Sequence, residues 1–262
     1  MNVGVVIIAR NEEKYLEKTL TALKAQTLKP SKIVLVNDRS IDRTKHIGQK
    51  FGVDIIDFPY DHESWVVTKN LAKVFNLGLK ELVSHDYIMI LGADHILTKD
   101  YIETIINRIN GTNIVIASGV IKGENTVNVR GSGRIINSKF WKSIGGKYPE
   151  KHGYESYILF KAESMGLKVK KFDDIITTSQ RKTSTNYDLR KLMYKGESYR
   201  ALGYTFPYAF VAALKFIKIH PLAPLFMMFG YLRNNTNFYE KEVIQKVKDY
   251  QKRRIKTFLN PT

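Results

Sequence analysis

Val34-Leu35-Val36-Asn37-Asp38-Arg39-Ser40-Ile41-Asp42-Arg43-Thr44 opens as an apolar run and turns, within one residue, into an acidic, hydroxyl-rich segment. This is the pattern of a buried strand that ends in a polar turn. Upstream, Val5-Val6-Ile7-Ile8-Ala9-Arg10-Asn11-Glu12-Glu13 repeats it. Between the two, Tyr15, Leu16, Leu20, Leu23 and Ala25 recur close to helical spacing from Glu12 to Gln26, until Lys29-Pro30 breaks the pattern. Strand, helix and strand in one sheet end side by side, and in open α/β sheets ligands sit just beyond the carboxyl ends of the strands. The two polar ends therefore predict a shared site.

The alternation continues outward. Helices are expected over Asp42 to Phe51, Thr68 to Leu82 and Lys99 to Ile109, and strands over Val53 to Phe58 and Asp86 to Leu91, the latter running into Gly92-Ala93-Asp94-His95. Alternating strands and helices imply a mainly parallel sheet covered on both faces. Beyond it, Asn113 to Lys122 is β-rich, Arg130 to Asn137 reads as a strand, and Ser138 to Ile144 as a short helix closed by Gly145-Gly146. Tyr154 to Met165 reads as a helix and Leu167 to Phe172 as a strand. We place the α/β domain at 1–200 and a helical, partly apolar appendage at 201–262.

The 262 residues carry a formal charge of +17 and no cysteine. Disulfides, thiolate metal sites and cysteine nucleophiles are thereby excluded, and a reducing compartment fits. The positive field favours anionic partners: phosphorylated substrates, anionic lipid or nucleic acid. Nucleic acid is disfavoured because no zinc-finger spacing, aromatic RNA-binding signature or basic recognition helix accompanies the charge. Met1 leads into the first strand without a basic n-region or cleavage site, so the expected location is cytoplasmic.

From Tyr204 to Tyr231 the composition turns aromatic and aliphatic, broken by Lys215, Lys218, His220, Pro221 and Pro224. Neither half supplies the ~20 apolar residues that span a bilayer. Two short helices lying at a membrane interface are expected, followed by a basic amphipathic helix over Glu240 to Phe258, with Val243, Val247, Tyr250 and Phe258 on one face. These segments point to the inner face of the cell membrane.

Three acids stand at element ends on the presumed ligand edge: Asp38, Asp94 and Glu155. Hard carboxylate oxygens suit Mg²⁺ or Mn²⁺, and a neighbouring imidazole shifts preference towards Mn²⁺. Asp94 with His95 supplies that pair, and Glu155 suits a general base.

Together these residues resemble the family 2 glycosyltransferases of GT-A fold, inverting enzymes that use nucleotide-activated sugars. The resemblance runs from about Val3 to Phe172. Ala9-Arg10-Asn11-Glu12-Glu13 matches the family's opening, and Asn37 to Thr44 resembles its Asp-Asp-Gly-Ser-x-Asp-x-Thr. Asn76-Leu77-Gly78 resembles the Asn-x-Gly of the helix before the metal strand, and Gly145-Gly146 the glycine pair ahead of the acceptor site. Two departures stand out: Gly92-Ala93-Asp94-His95 lacks the first acid of the usual Asp-x-Asp, and Tyr154-Glu155 replaces Glu-Asp. The resemblance implies transfer of a sugar from a nucleoside-diphosphate sugar to a hydroxyl acceptor, lipid-linked or glycan. It implies Glu155 as base, Asp94 and His95 as metal ligands, and Ala9, Arg10, Glu12, Asp38, Asp94 and Arg181 at the donor. Gly145, Gly146 and Trp141 fall to the acceptor, with Trp141 available to stack on a sugar. Lys69 and Lys73 read as a solvated helix face, and Gln180, Arg181 and Lys182 as the segment after the last strand. The alternative is a GT-A-fold protein whose eroded metal motif has ended turnover, acting as a membrane-associated scaffold.

Overall fold

The computed structural model describes residues 1–59, 68–124, 128–181, 188–233 and 238–259, with side chains of the last segment through 256. Its contacts divide the chain into two compact units. Unit one comprises Met1–His62, Lys73–Tyr148 and Leu167–Thr183; unit two comprises Glu63–Ala72, Pro149–Gly166 and Ser184–Thr262. Residue 200 falls near the end of a unit-two helix, α7 (Leu189–Ala201).

In unit one, β1 (Val3–Ala9), β2 (Lys32–Asn37), β3 (Asp54–Asp57) and β4 (Tyr87–Gly92) form the parallel half of the sheet. The remaining strands are β5 (His95–Ile96), β6 (Ile114–Ile121), β7 (Arg134–Asn137) and β8 (Lys168–Ser179), and the order is β3-β2-β1-β4-β7-β6-β8-β5. Among the described residues antiparallel pairing is confined to β4–β7, β6–β7 and β5–β8, so the sheet is mainly parallel, as expected. Register brings Ala9 opposite Asn37 and Ile8 opposite Gly92. Three polar turns thus leave the sheet at one edge.

Alternation along β1 sorts its side chains between two covers. Val3, Val5, Ile7 and Ala9 share a core with α1 (Leu16–Lys24), α2 (Thr44–Lys50) and α4 (Tyr101–Ile109) through Leu16, Leu20, Ile47 and Ile105. Val6 faces α3 (Lys69–Leu79), which ends in a 3₁₀ turn at Lys80–Leu82. Gly78 makes that approach possible: a Cβ there would lie 2.5 Å from Val6 and 2.7 Å from Val36.

β8 runs past the strand expected to end at Phe172. Asp173-Asp174 looks like a break, but β6 absorbs it with a register shift between Ser118 and Val120. Pairing resumes at Val120 with Ile176, while Arg108 takes Asp174 in two hydrogen bonds.

Unit two holds α6 (Tyr154–Ser164), α7, α8 (Phe206–Leu214), α9 (Ala223–Arg233) and α10 (Lys241–Leu259). Val243 and Val247 of α10 are fully buried, and Tyr250 meets Phe160 of α6 edge-on. The side chain of Phe258 lies outside the described residues. Two short helices do occupy the aromatic stretch, and no described helix is long and apolar enough to cross a membrane.

Candidate functional site

The turns after β1 and β2 are stitched to each other. Thr44 Oγ1 accepts from Glu12 N at 2.7 Å, Asp42 Oδ2 from Glu13 N at 3.1 Å, and Ser40 Oγ from Asn11 N at 3.1 Å. In return Asn11 Oδ1 accepts from Ile41 N, and Glu13 Oε2 from both the backbone and the Nε of Arg43. Asn11, Glu13, Ser40, Asp42 and Thr44 are thereby committed to holding two loops in register. Asn11 and Arg39, both at φ 55°, carry the left-handed residues these turns require. Arg39 stands where the resembling motif has glycine, and its Nε donates to Asp38 Oδ1 at 2.9 Å. Asp38 is 2% exposed.

Across the sheet edge, Arg181 joins two acids. Its Nη2 donates to Glu12 Oε1 and its Nε to Asp94 Oδ2, each at 2.7 Å, while its guanidinium lies over the Tyr15 ring. Burial raises the Glu12 carboxyl above the ordinary carboxylate range, against the pull of Arg181. Glu12 Oε2 is buried and has no hydrogen-bond partner among the described residues. Loop 92–94 is held from behind: Thr19 Oγ1 donates to Ala93 O, Gln180 N to Asp94 O, and Gln180 Nε2 to Tyr15 O and Thr19 Oγ1. Glu12, Asp94 and Arg181, read separately from the sequence, are therefore brought into one cluster. Arg10 is exposed and Ala9 is buried. Lys182 lies outside the described residues.

His95, expected as a metal ligand, lies in a polar pocket of its own. It is 2% exposed, with Nδ1 2.7 Å from Ser132 Oγ and Nε2 2.7 Å from Thr177 Oγ1. Thr177 Oγ1 donates to Val120 O, so it accepts from Nε2–H. Ser132 Oγ already accepts from Gly92 N and gives its proton to Nδ1. Burial, then the positive charge of Arg130, lowers the imidazole to about 4, with Asp94 opposing. A neutral ring with both nitrogens engaged has no lone pair to offer a metal in this arrangement. Ser132 and Thr177 escaped sequence reading; the signal was Gly131-Ser132-Gly133, where a Cβ on Gly133 would lie 2.9 Å from the His95 ring.

Trp141 also differs. It is fully buried, edge-on to Tyr148 at 5.2 Å, because α5 (Ser138–Ser143) turns it into the core. Gly145 (φ 97°) and Gly146 (φ 66°) form the left-handed stop of that helix, donating to Lys142 O and Trp141 O. Asn76 clamps Tyr148 through both backbone groups. Lys69 is exposed and Lys73 half-buried. Glu155 belongs to unit two, half-buried in the first turn of α6 behind Gly153, whose φ is 81°.

The carboxylate pair suits a hard cation. Glu12 Oε2 is a buried, unused acceptor, and Mg²⁺ or Mn²⁺ is commonly held by one or two carboxylates with substrate phosphates completing the shell. Among the described residues no group of three or more His, Cys, Asp or Glu side chains holds such a site alone. At Gly92, the place of the missing acid, a Cβ would lie 3.0 Å from Ser132 Oγ and 3.2 Å from Asp94 Oδ1. A cleft of about 870 Å³ opens at the opposite strand ends, around Asp86, Asn110 and Ser138, away from the charged cluster.

Comparisons with known proteins bear on the fold and the family. A 110-residue stretch, 41% of this chain and 15% of the relative, is 30% identical to glycosyltransferase GlyA of Streptococcus pneumoniae. Another of 102 residues, 38% of this chain and 26% of the relative, is 33% identical to 4,4'-diaponeurosporenoate glycosyltransferase of Staphylococcus haemolyticus. The chain thus matches only 15% and 26% of these curated relatives' lengths. The mannosyltransferase PcManGT of Pyrobaculum calidifontis, solved with GDP-Man and Mn²⁺, superposes over 98% of this chain and 79% of its own at a TM-score of 0.60 and 12% identity. Residues 4–175 match the model of glycosyl transferase family 2, and with its GT-A fold the chain belongs to that family.

Proposed function

We propose that the protein transfers a sugar, with inversion, from a nucleoside-diphosphate sugar to a hydroxyl acceptor, lipid-linked or glycan, at the cytoplasmic membrane face. The observation that carries the reading is the Glu12–Arg181–Asp94 cluster at the carboxyl ends of the family-matched strands. The new bond joins the acceptor oxygen to the anomeric carbon as the bond from that carbon to the diphosphate breaks, and the acceptor proton goes to a base. Glu155 is that base on the resemblance of Tyr154-Glu155 to the family's pair. In this reading Arg181 receives the charge of the departing diphosphate, and Asp38, Arg10 and Ala9 serve the nucleoside side. Gly145 and Gly146 shape the acceptor loop, with Trp141 supporting it from the core. A divalent cation held by Asp94, with Glu12 in reach, supplies further neutralisation of the diphosphate when bound; His95 positions the Asp94 loop.

A thermal-shift screen of nucleoside diphosphates and their sugars, with and without Mn²⁺, tests the donor: a ligand at 100 times its Kd stabilises by about 2.7 kcal/mol. No shift with any of them defeats the reading. Glu155→Gln is expected to keep that shift while transfer drops ~10²–10⁴-fold.

A second reading, a binding module without turnover, is favoured by the ion pairs Arg181 makes in the cation's place and by Ser132 against Gly92. Nucleotide-induced stabilisation without release of nucleoside diphosphate would select it.

A further inference from the structure

We propose that α8, the 3₁₀ turn at Lys215–Lys218 and α9 form a surface that inserts unit two into one leaflet of an anionic bilayer. The proposal takes its location from the membrane part of the function above, but its argument comes from unit two alone. The helices are inside out for a protein facing water. On α8 the small residues Ala209 and Ala213 are buried, whereas Phe206, Phe210, Val211 and Leu214 are 41–58% exposed. On α9, Leu225, Phe229 and Leu232 are 59–66% exposed. Ile217, Ile219 and Leu222, between the two helices in sequence, are 45–49% exposed. Contiguous apolar surface on this scale marks an interaction site.

Packing keeps it outward. α9 crosses α7 backbone to backbone: a Cβ on Gly196 would lie 1.9 Å from Met227 O, and one on Gly230 1.9 Å from Met193 O. Contact that close leaves α9 no room to roll its Leu225–Phe229–Leu232 row inward.

Charge identifies the occupant. Residues 206–233 contain Lys215, Lys218 and Arg233 and no Asp or Glu. The two lysines are exposed in the 3₁₀ turn between the apolar rows, the arrangement of interfacial anchors whose apolar face enters the acyl boundary while lysines meet anionic headgroups. A second copy is a poorer occupant, since two-fold contact over this surface would bring each lysine pair towards its like. With 9 and 11 residues, the helices are too short to span.

Flotation of the full chain with vesicles of phosphatidylcholine alone, and of an equimolar phosphatidylcholine–phosphatidylglycerol mixture, tests this. Binding to the anionic vesicles is expected, weakening with salt. The double variant Phe210→Ser with Phe229→Ser lowers it about tenfold or more, and Lys215→Gln with Lys218→Gln removes the lipid-charge and salt dependence. Circular dichroism melts confirm folding of each variant. As a second measurement, Phe210→Trp emission is expected to shift blue and be quenched by brominated lipid. Absence of wild-type flotation, serine variants that float like wild type, or a dimer dissociated by those substitutions would each overturn the proposal. Nucleoside diphosphate thermal shifts on the same samples keep the outcomes apart. Shifts without flotation remove only the bilayer; flotation without shifts removes only the donor reading.

Discussion

Arg39 sets two opposing effects against each other within one residue. Its left-handed backbone (φ 55°) costs about 1–2 kcal/mol for a residue with a Cβ, and glycine there would remove that cost. Glycine would also remove the guanidinium that donates to Asp38, 2% exposed, a loss of about 1.5–3 kcal/mol for a charged hydrogen bond. We expect the second effect to win: Arg39→Gly lowers stability in urea titration, and adding Asp38→Asn recovers part of it. A more stable Arg39→Gly single variant would mean the strain dominates. Arg181 gives a pH-dependent counterpart. Glu12 is raised in the folded protein by burial, so its ionisation opposes folding, and this contribution is most favourable below the ordinary carboxylate range and lost as pH rises through the raised value. Arg181 offsets that loss. Arg181→Gln is therefore expected to cost about 1–2 kcal/mol near neutral pH, discounted for its half-exposed side chain. The gap to wild type should narrow as pH falls through the carboxylate range; a pH-independent gap in melting temperature would contradict the pairing.

Helix α3 and the α7–α9 crossing show how one methyl group is weighed by what it meets. Gly78→Ala gains about 1 kcal/mol of helix propensity but drives a Cβ to 2.5 Å from the Val6 side chain, an overpacking cost of about 1–3 kcal/mol. At Gly196 the obstacle is the Met227 carbonyl at 1.9 Å, and backbone does not rotate away as a valine does. Gly196→Ala should thus be the more damaging of the two in urea titration, and equal losses would show that α7 and α9 separate freely. The same elements explain what could be read in advance. β1, β2 and β4 announced themselves as unbroken apolar runs, and their loops as motif residues, because burial and turn chemistry act within a few positions in sequence. Glu12, Asp94 and Arg181 were legible one by one; that Arg181 bridges the other two depends on β8 continuing through Asp173-Asp174, which pairing with β6 decides. The partners of His95 were hidden for the same reason: Ser132 and Thr177 lie 37 and 82 positions away. Trp141 carried no local sign of which side of α5 would be core.

Over the whole molecule, a formal charge of +17 acts on any anionic ligand before contact is made. At the cluster itself two carboxylates face one guanidinium, so a diphosphate meets local acids inside a globally positive field. The two contributions differ in range. Raising salt from about 0.1 M to about 1 M shortens the screening length from about 10 Å to about 3 Å, which suppresses the field but leaves contacts at 2.7 Å largely intact. Steering by net charge changes association rates by 10–10³-fold. We therefore expect stopped-flow association of a nucleoside diphosphate to slow about tenfold or more over that range, with dissociation little changed and binding of the uncharged nucleoside nearly indifferent to salt. If dissociation instead accelerates while association holds, contact with Arg181 rather than the field of the whole chain governs capture.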